Sequence, residues 1–216
     1  MRLYTWWRSQ AAFRVRIALN LKGVDAEYEF VDLSKGEQTD ASYRAVNPEM
    51  LLPTLIDDNG ERLFQSLAII EYLEEKFPYP PLLPDNRRAR AFVRAIAQTI
   101  AADAHPLVVP RVRNYLTREL MLDDQSVMNW LRHWLDETTR VIEQHLVNYS
   151  RNGRFCCGDR PTIADICLVP HLTSAIMLYD CDLMPYPKAH RIYDACMELD
   201  AFANAYPTRQ PDAAPL

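Results

Sequence analysis

Ser9 and the arginines around it are the residues whose types and spacing best suit chemistry. Tyr4-Thr5-Trp6-Trp7-Arg8-Ser9 runs directly into Phe13-Arg14-Val15-Arg16-Ile17-Ala18-Leu19, so a short strand ends in a cation and a hydroxyl where a helix begins. A helix N-terminus presents unsatisfied N–H groups and the positive end of its dipole, which stabilise an anion placed there. Ser9 is equally a good N-cap, and on these residues alone the cap is the simpler reading. Gln65-Ser66 repeats the pattern ahead of a second apolar helix whose expected core face is Leu67, Ile70 and Leu73. Here the cap and a carboxylate site coincide without conflict. Leu52-Pro53 stands just before Thr54-Leu55-Ile56, where a proline can simply start a strand.

The elements that must hold these residues can be traced along the chain. Arg2 to Thr5 reads as a strand, Gln10 to Lys22 as a helix ended by Gly23, and Ala26 to Val31 as a second strand. A short helical piece around Ser42 to Val46 precedes strands at Thr54 to Asp57 and Arg62 to Phe64, joined by the hairpin turn Asp58-Asn59-Gly60. Ser66 to Lys76 closes this α/β part with a helix. Pro78, Pro80, Pro81 and Pro84 then form a stiff linker, which separates a domain at 1–80 from one at 88–216. Beyond it the apolar spacing is helical: Arg88 to Leu120 with a bend at Pro106 and Pro110, then Gln125 to Tyr149. Thr162-Ile163-Ala164-Asp165 has the spacing of a capping box that opens a buried helix, and both polar residues read as structural.

Composition excludes several functions. At 216 residues, 49% hydrophobic and 25% charged, the chain is large enough for one or two good cores. A formal net charge of −5 without Lys/Arg runs argues against nucleic acid as the main partner. Arg14 and Arg16 read as a charged helical face. No apolar run has the length of a membrane span, and Met1-Arg2-Leu3-Tyr4 reads as a strand rather than a signal peptide, so the expected location is the cytoplasm. Cys156, Cys157, Cys167, Cys181 and Cys196 are odd in number, lack metal-ligand spacing and suit a reducing compartment, so no metal is expected. None lies near Ser9, which removes thiol–disulfide exchange by a protein cysteine.

Taken in order, Trp7-Arg8-Ser9, Arg14-Val15-Arg16-Ile17-Ala18-Leu19, Asn47-Pro48, Leu52-Pro53-Thr54-Leu55 and Gln65-Ser66-Leu67-Ala68-Ile69-Ile70-Glu71-Tyr72-Leu73 resemble the zeta class of glutathione transferases. That class contains the maleylacetoacetate isomerases and the glutathione-dependent maleylpyruvate isomerases. The resemblance continues through Gly158-Asp159, Thr162-Ile163-Ala164-Asp165-Ile166-Cys167-Leu168-Val169-Pro170, Tyr186-Pro187 and Gln210-Pro211-Asp212. It implies the glutathione transferase fold: an α/β thioredoxin-like N-terminal domain followed by an all-α C-terminal domain.

The resemblance also implies glutathione as cofactor, with its thiolate at Ser9, its γ-glutamyl carboxylate at Gln65 and Ser66, and its cysteinyl main chain against Leu52 before a cis Pro53. By the same resemblance His105, with Asp103, lies near glutathione; Arg8, a planar two-pronged donor, is the candidate cation for the substrate, and Arg111 after His105-Pro106 a second substrate donor. The implied substrate is a small maleyl keto acid, isomerised from cis to trans in aromatic catabolism, and the implied assembly is a homodimer. Two features depart from the pattern. Gln10 and Ala11 stand where many relatives have Ser and Cys, and the arginine expected within Ser174-Ala175-Ile176-Met177-Leu178 is missing. The apolar residues there leave open a second activity, conjugation or dehalogenation of small α-halo acids. A binding or scaffold role is a third reading, and the intact Ser9, Leu52-Pro53 and Gln65-Ser66 set argues against it.

Overall fold

The computed structural model describes residues 1–150 and 153–215, arranged as two compact units, Met1–Pro81 with Glu198–Leu216, and Leu82–Met197. In the first unit, β1 (Arg2–Thr5), β2 (Glu27–Phe30), β3 (Thr54–Ile56) and β4 (Arg62–Phe64) form one sheet in the order β2-β1-β3-β4. β1 runs parallel to β2 and antiparallel to β3, with Leu3 opposite both Tyr28 and Leu55. A parallel pair needs a long crossover, and α1 (Gln10–Lys22) supplies it. The hairpin β3–β4 turns where expected, with Gly60 at φ 84.

α1 starts at the N-cap Ser9 and stops at Gly23, whose φ of 63 suits a residue without a side chain. Between them almost every residue is buried, including Phe13, Val15, Ile17 and Leu19. This corrects the expectation for Arg14 and Arg16, which are 1% and 0% exposed rather than parts of a solvated face. A helix covered on all sides leaves no wet face, so its cations require internal partners. α3 (Ser66–Lys76) packs on α1 through a core that includes Ile69, Ile70 and Leu73. Leu67 is only half-buried, and Ile69 takes its expected place. The short α2 (Ala41–Val46) places Tyr43, whose hydroxyl donates to Leu51 O at 2.6 Å.

The C-terminal residues depart from the sequence reading, which put all of 88–216 in the helical domain. Glu198–Leu216, including α9 (Asp200–Ala203), belongs to the first unit. Hydrogen bonds hold it there: Arg16 donates to Ala205 O at 3.3 Å, Asn20 to Ala201 O at 2.9 Å, and the Trp7 N–H to Asp212 at 2.9 Å.

The second unit is helical. The expected long helix Arg88 to Leu120 is broken into α4 (Arg87–Gln98), a π-helical turn (Thr99–Ala104), a 3-10 turn (His105–Leu107) and α5 (Pro110–Arg118). Pro106 and Pro110 each lie in the first two positions of a new segment, where a missing N–H costs nothing. α6 (Asp124–Asn148) follows, capped by Asp123. α7 (Ile163–Tyr179) packs against α4, α6 and α8 (Pro187–Met197). Its first turn carries the capping box: Asp165 accepts from the N–H and hydroxyl of Thr162 at 2.8 Å each, and from Cys156 N–H at 2.8 Å.

Candidate active site

The turn between β1 and α1 is built from Trp6, Trp7, Arg8 and Ser9, and its geometry is set by main-chain groups. Ser9 N–H donates to Trp6 O at 3.0 Å. The buried Arg16 guanidinium reaches back to Thr5 Oγ1 at 2.9 Å and to the carbonyls of Trp6 and Trp7 at 3.2 Å each. Burial pulls that guanidinium down to about 10, so it remains a cation at neutral pH. Arg16 therefore acts as an internal strut for the turn, with charge-assisted bonds stronger than neutral ones.

Ser9 is 9% exposed, and its hydroxyl oxygen accepts from Ala12 N–H at 3.2 Å. A hydroxyl has one donor and two acceptor sites, so the cap leaves the O–H available to an anion at the helix start. The two readings of Ser9 are thus compatible. Arg8 is half-buried, with its guanidinium carbon 5.7 Å and 5.6 Å from the ring centroids of Trp6 and Trp7. Attraction to both ring faces holds this cation one residue before the hydroxyl.

A second helix start belongs to the same unit. Ser66 is 6% exposed at the first position of α3 and is not its N-cap as expected: that place is taken by Gln65, which has φ 66 and ψ 116 and makes no side-chain cap hydrogen bond. For a residue with a side chain such a conformation costs about 1–3 kcal/mol, and positions of this kind cluster at ligand sites. The Gln65 amide donates to Glu49 at 3.0 Å. Arg14 joins the two helix starts: it donates to Ser66 Oγ and to Gln10 Oε1, both at 3.3 Å. Two positive helix ends with a buried guanidinium between them make a strong site for carboxylates.

Leu52–Pro53 is cis. Asn47 donates to Leu51 O at 3.0 Å and to Thr54 Oγ1 at 3.1 Å, and so fixes the loop on both sides of Leu52. Leu52 is 8% exposed, precedes the sheet pairing that starts at Thr54, and neither its N–H nor its C=O has a partner among the described residues. A free main-chain donor and acceptor, held by a rigid loop, suit pairing with a peptide.

Ser9, Arg8, Leu52, Pro53, Gln65 and Ser66 are thus all held by the first unit. His105 opens the 3-10 turn and Arg111 lies exposed in the first turn of α5, both in the second unit. Arg14 and Gln10 were not foreseen as site residues. A usable signal was the apolar character of α1 on all faces, which forces any arginine within it to find an internal partner. The five cysteines are free and belong to the second unit, and burial pushes the thiols of Cys156 and Cys196 up, which keeps them unreactive.

Residues 3–81 match the family described as glutathione S-transferase, N-terminal domain. The chain is 42% identical to a maleylpyruvate isomerase of Ralstonia over 99% of its own length and all of that protein. It is 44% identical to a probable maleylacetoacetate isomerase of Vibrio cholerae, covering 98% and 97% of the two chains. The chain belongs to the zeta class of glutathione transferases. Among solved structures, a zeta-class maleylpyruvate isomerase in its holo form superposes with a TM-score of 0.96 at 42% identity, covering 99% of this chain and 100% of that one. A maleylacetoacetate isomerase of Methylobacterium extorquens with bound malonate and glutathione gives 0.96 at 43% identity, with full coverage of both chains. In this zeta-class chain the features above suit glutathione part by part: a free main-chain pair at Leu52, two serine-bearing helix starts, and a buried cation between them.

Proposed function

We propose that the protein is a glutathione-dependent isomerase that converts maleylacetoacetate, or its close analogue maleylpyruvate, to the fumaryl isomer in aromatic catabolism. The observation that carries this reading is Ser9, whose hydroxyl accepts from Ala12 N–H and keeps its own proton for an anion at the start of α1. Glutathione, when bound, supplies a thiol whose reversible addition to the cis double bond lets that bond rotate.

The protein's own residues set up the rest. Gln65 and Ser66, with the α3 N-terminus and Arg14 behind them, hold the γ-glutamyl carboxylate. Leu52 pairs its main chain with the cysteinyl portion beside Pro53. The Ser9 O–H and the α1 dipole favour the charged form of a thiol at that point and lower its pKa. Arg8, steadied over two indoles, grips a substrate carboxylate or neutralises the charge that develops on the ketone oxygen. Arg111 serves as a further substrate donor and His105 as a contact for glutathione. The protein works as a cytoplasmic homodimer, which sedimentation velocity would test by its mass.

A second reading, glutathione conjugation or dehalogenation of small α-halo acids, is favoured by one feature. Ile176 is 40% exposed and Met177 half-buried on α7, where the family resemblance implies an arginine for a distal carboxylate. The deciding assay follows loss of the maleyl ketone chromophore for maleylacetoacetate and maleylpyruvate separately, with and without glutathione, and identifies the product. A fumaryl product with catalytic glutathione supports isomerisation. If neither ketone is turned over while an α-halo acid releases halide, the second reading replaces the first.

A further inference from the structure

We propose that Asp212 is a positioning residue of this active site: its carboxylate locks the main chain of the Trp6-Trp7-Arg8-Ser9 turn and so aims Arg8 and Ser9. The proposal rests on the glutathione-dependent reading above. Its basis is how the turn is attached. The carbonyls of Trp6 and Trp7 are held by Arg16, and Trp6 O also accepts from Ser9 N–H. On the N–H side the attachment is different: Trp7 N–H donates to Asp212 Oδ2 at 2.9 Å, across 205 residues of sequence. The Trp6–Trp7 peptide is therefore gripped at one edge by a cation and at the other by an anion. Removal of Asp212 would leave the plane held only through its carbonyl.

The delivery of Asp212 is also specific. Gln210, 8% exposed, donates to Asn204 O at 2.9 Å and to Tyr206 O at 3.0 Å, which anchors the segment two residues before the carboxylate. Asp212 Oδ1 is buried and has no hydrogen-bond partner among the described residues. Burying a carboxylate oxygen without a partner is unfavourable, so the side chain is kept in this place against a desolvation cost. Attraction between Arg16 and Asp212 partly offsets that cost. The group held at this cost bonds the turn that carries Arg8 and Ser9.

The test compares Asp212→Ala with Asp212→Asn, which keeps an oxygen able to accept from Trp7 N–H. Four quantities are read on the full chain: circular dichroism, hydrogen exchange of residues 6–9, ultraviolet titration of the thiolate of bound glutathione, and kcat with KM for glutathione. In Asp212→Ala the fold is kept and exchange at residues 6–9 quickens. The bound thiol titrates about one unit higher, and kcat falls roughly tenfold or more with KM for glutathione little changed. Asp212→Asn restores most of each. A folded Asp212→Ala protein with unchanged thiol titration and kcat overturns the proposal, even if it is less stable or exchanges faster. Should the Ala variant not fold, Asp212→Glu moves the acceptor by one methylene and must lower kcat and raise the thiol titration; full activity there also overturns it. If the wild type binds glutathione but leaves maleyl ketones unchanged, only the substrate reading fails, and the thiol titration and exchange still decide the role of Asp212. A wild type that does not bind glutathione overturns both.

Discussion

Ser9 shows how one hydroxyl serves two roles, since accepting from Ala12 N–H leaves its proton free. Ser9→Ala is expected to lower kcat by ten- to a hundredfold, the worth of about 1.5–3 kcal/mol for a hydrogen bond to a charged group. Glutathione binding, measured by calorimetry, persists because Gln65, Ser66 and Leu52 are untouched. Loss of the cap also costs about 1 kcal/mol of stability. Unchanged turnover would remove Ser9 from the role assigned to it. Arg8 is a separate case, because its guanidinium is held over the rings of Trp6 and Trp7. Arg8→Met should lower kcat/KM for the maleyl ketone by tenfold or more and leave glutathione affinity within about twofold. A loss of glutathione affinity with substrate use intact would contradict that assignment.

Among the elements, the β3–β4 hairpin carries a pH-dependent clamp. Asp57 accepts from Tyr72 O–H at 2.8 Å and from the N–H groups of Asn59 and Glu61 at 2.9 Å each. These bonds, that from Tyr72 foremost, hold its carboxyl below the ordinary value of 3.8. A carboxylate whose pKa is depressed on folding stabilises the native state above its unfolded value and loses that contribution as pH falls through its folded value. Tyr72→Phe should therefore unfold in less urea than the wild type at pH 6. The difference should shrink as pH falls from 3.8 through the lower folded-state value, where native Asp57 takes up its proton. A gap that stayed constant with pH would assign the effect to packing alone. At α1 the element itself decides the fate of its residues: a helix buried all round turned Arg14 and Arg16 from expected surface charges into the struts of two helix starts.

For the molecule as a whole, the main-chain and hydroxyl groups assigned to glutathione all come from the first unit, into which residues 198–216 return. A ligand that binds only the native state stabilises it by mass action. Glutathione at a hundred times its Kd should add about 2.7 kcal/mol and raise the thermal midpoint by about 5–10 °C. A differential scan with and without glutathione checks this. Oxidised glutathione at equal concentration should do much less if the free thiol at Ser9 contributes to binding. An equal shift from both would argue that the thiol end contributes nothing.

The sequence by itself determined most of the local design. Ser9 and Gly23 bracket α1, Asp58-Asn59-Gly60 makes the hairpin, Thr162 and Asp165 open α7, and Leu52-Pro53 with Gln65-Ser66 marks the glutathione family. These were legible because caps, turns and strand starts depend on a few neighbouring residues. Only the tertiary structure decided what lies across long stretches of chain. It buried Arg14 and Arg16, split the helix after Gln98, and brought Ala205 and Asp212 back to Arg16 and Trp7, 189 and 205 residues away. Local spacing cannot encode such contacts, because they arise when apolar burial forces a buried cation and a turn's N–H to find partners wherever the packed chain supplies them.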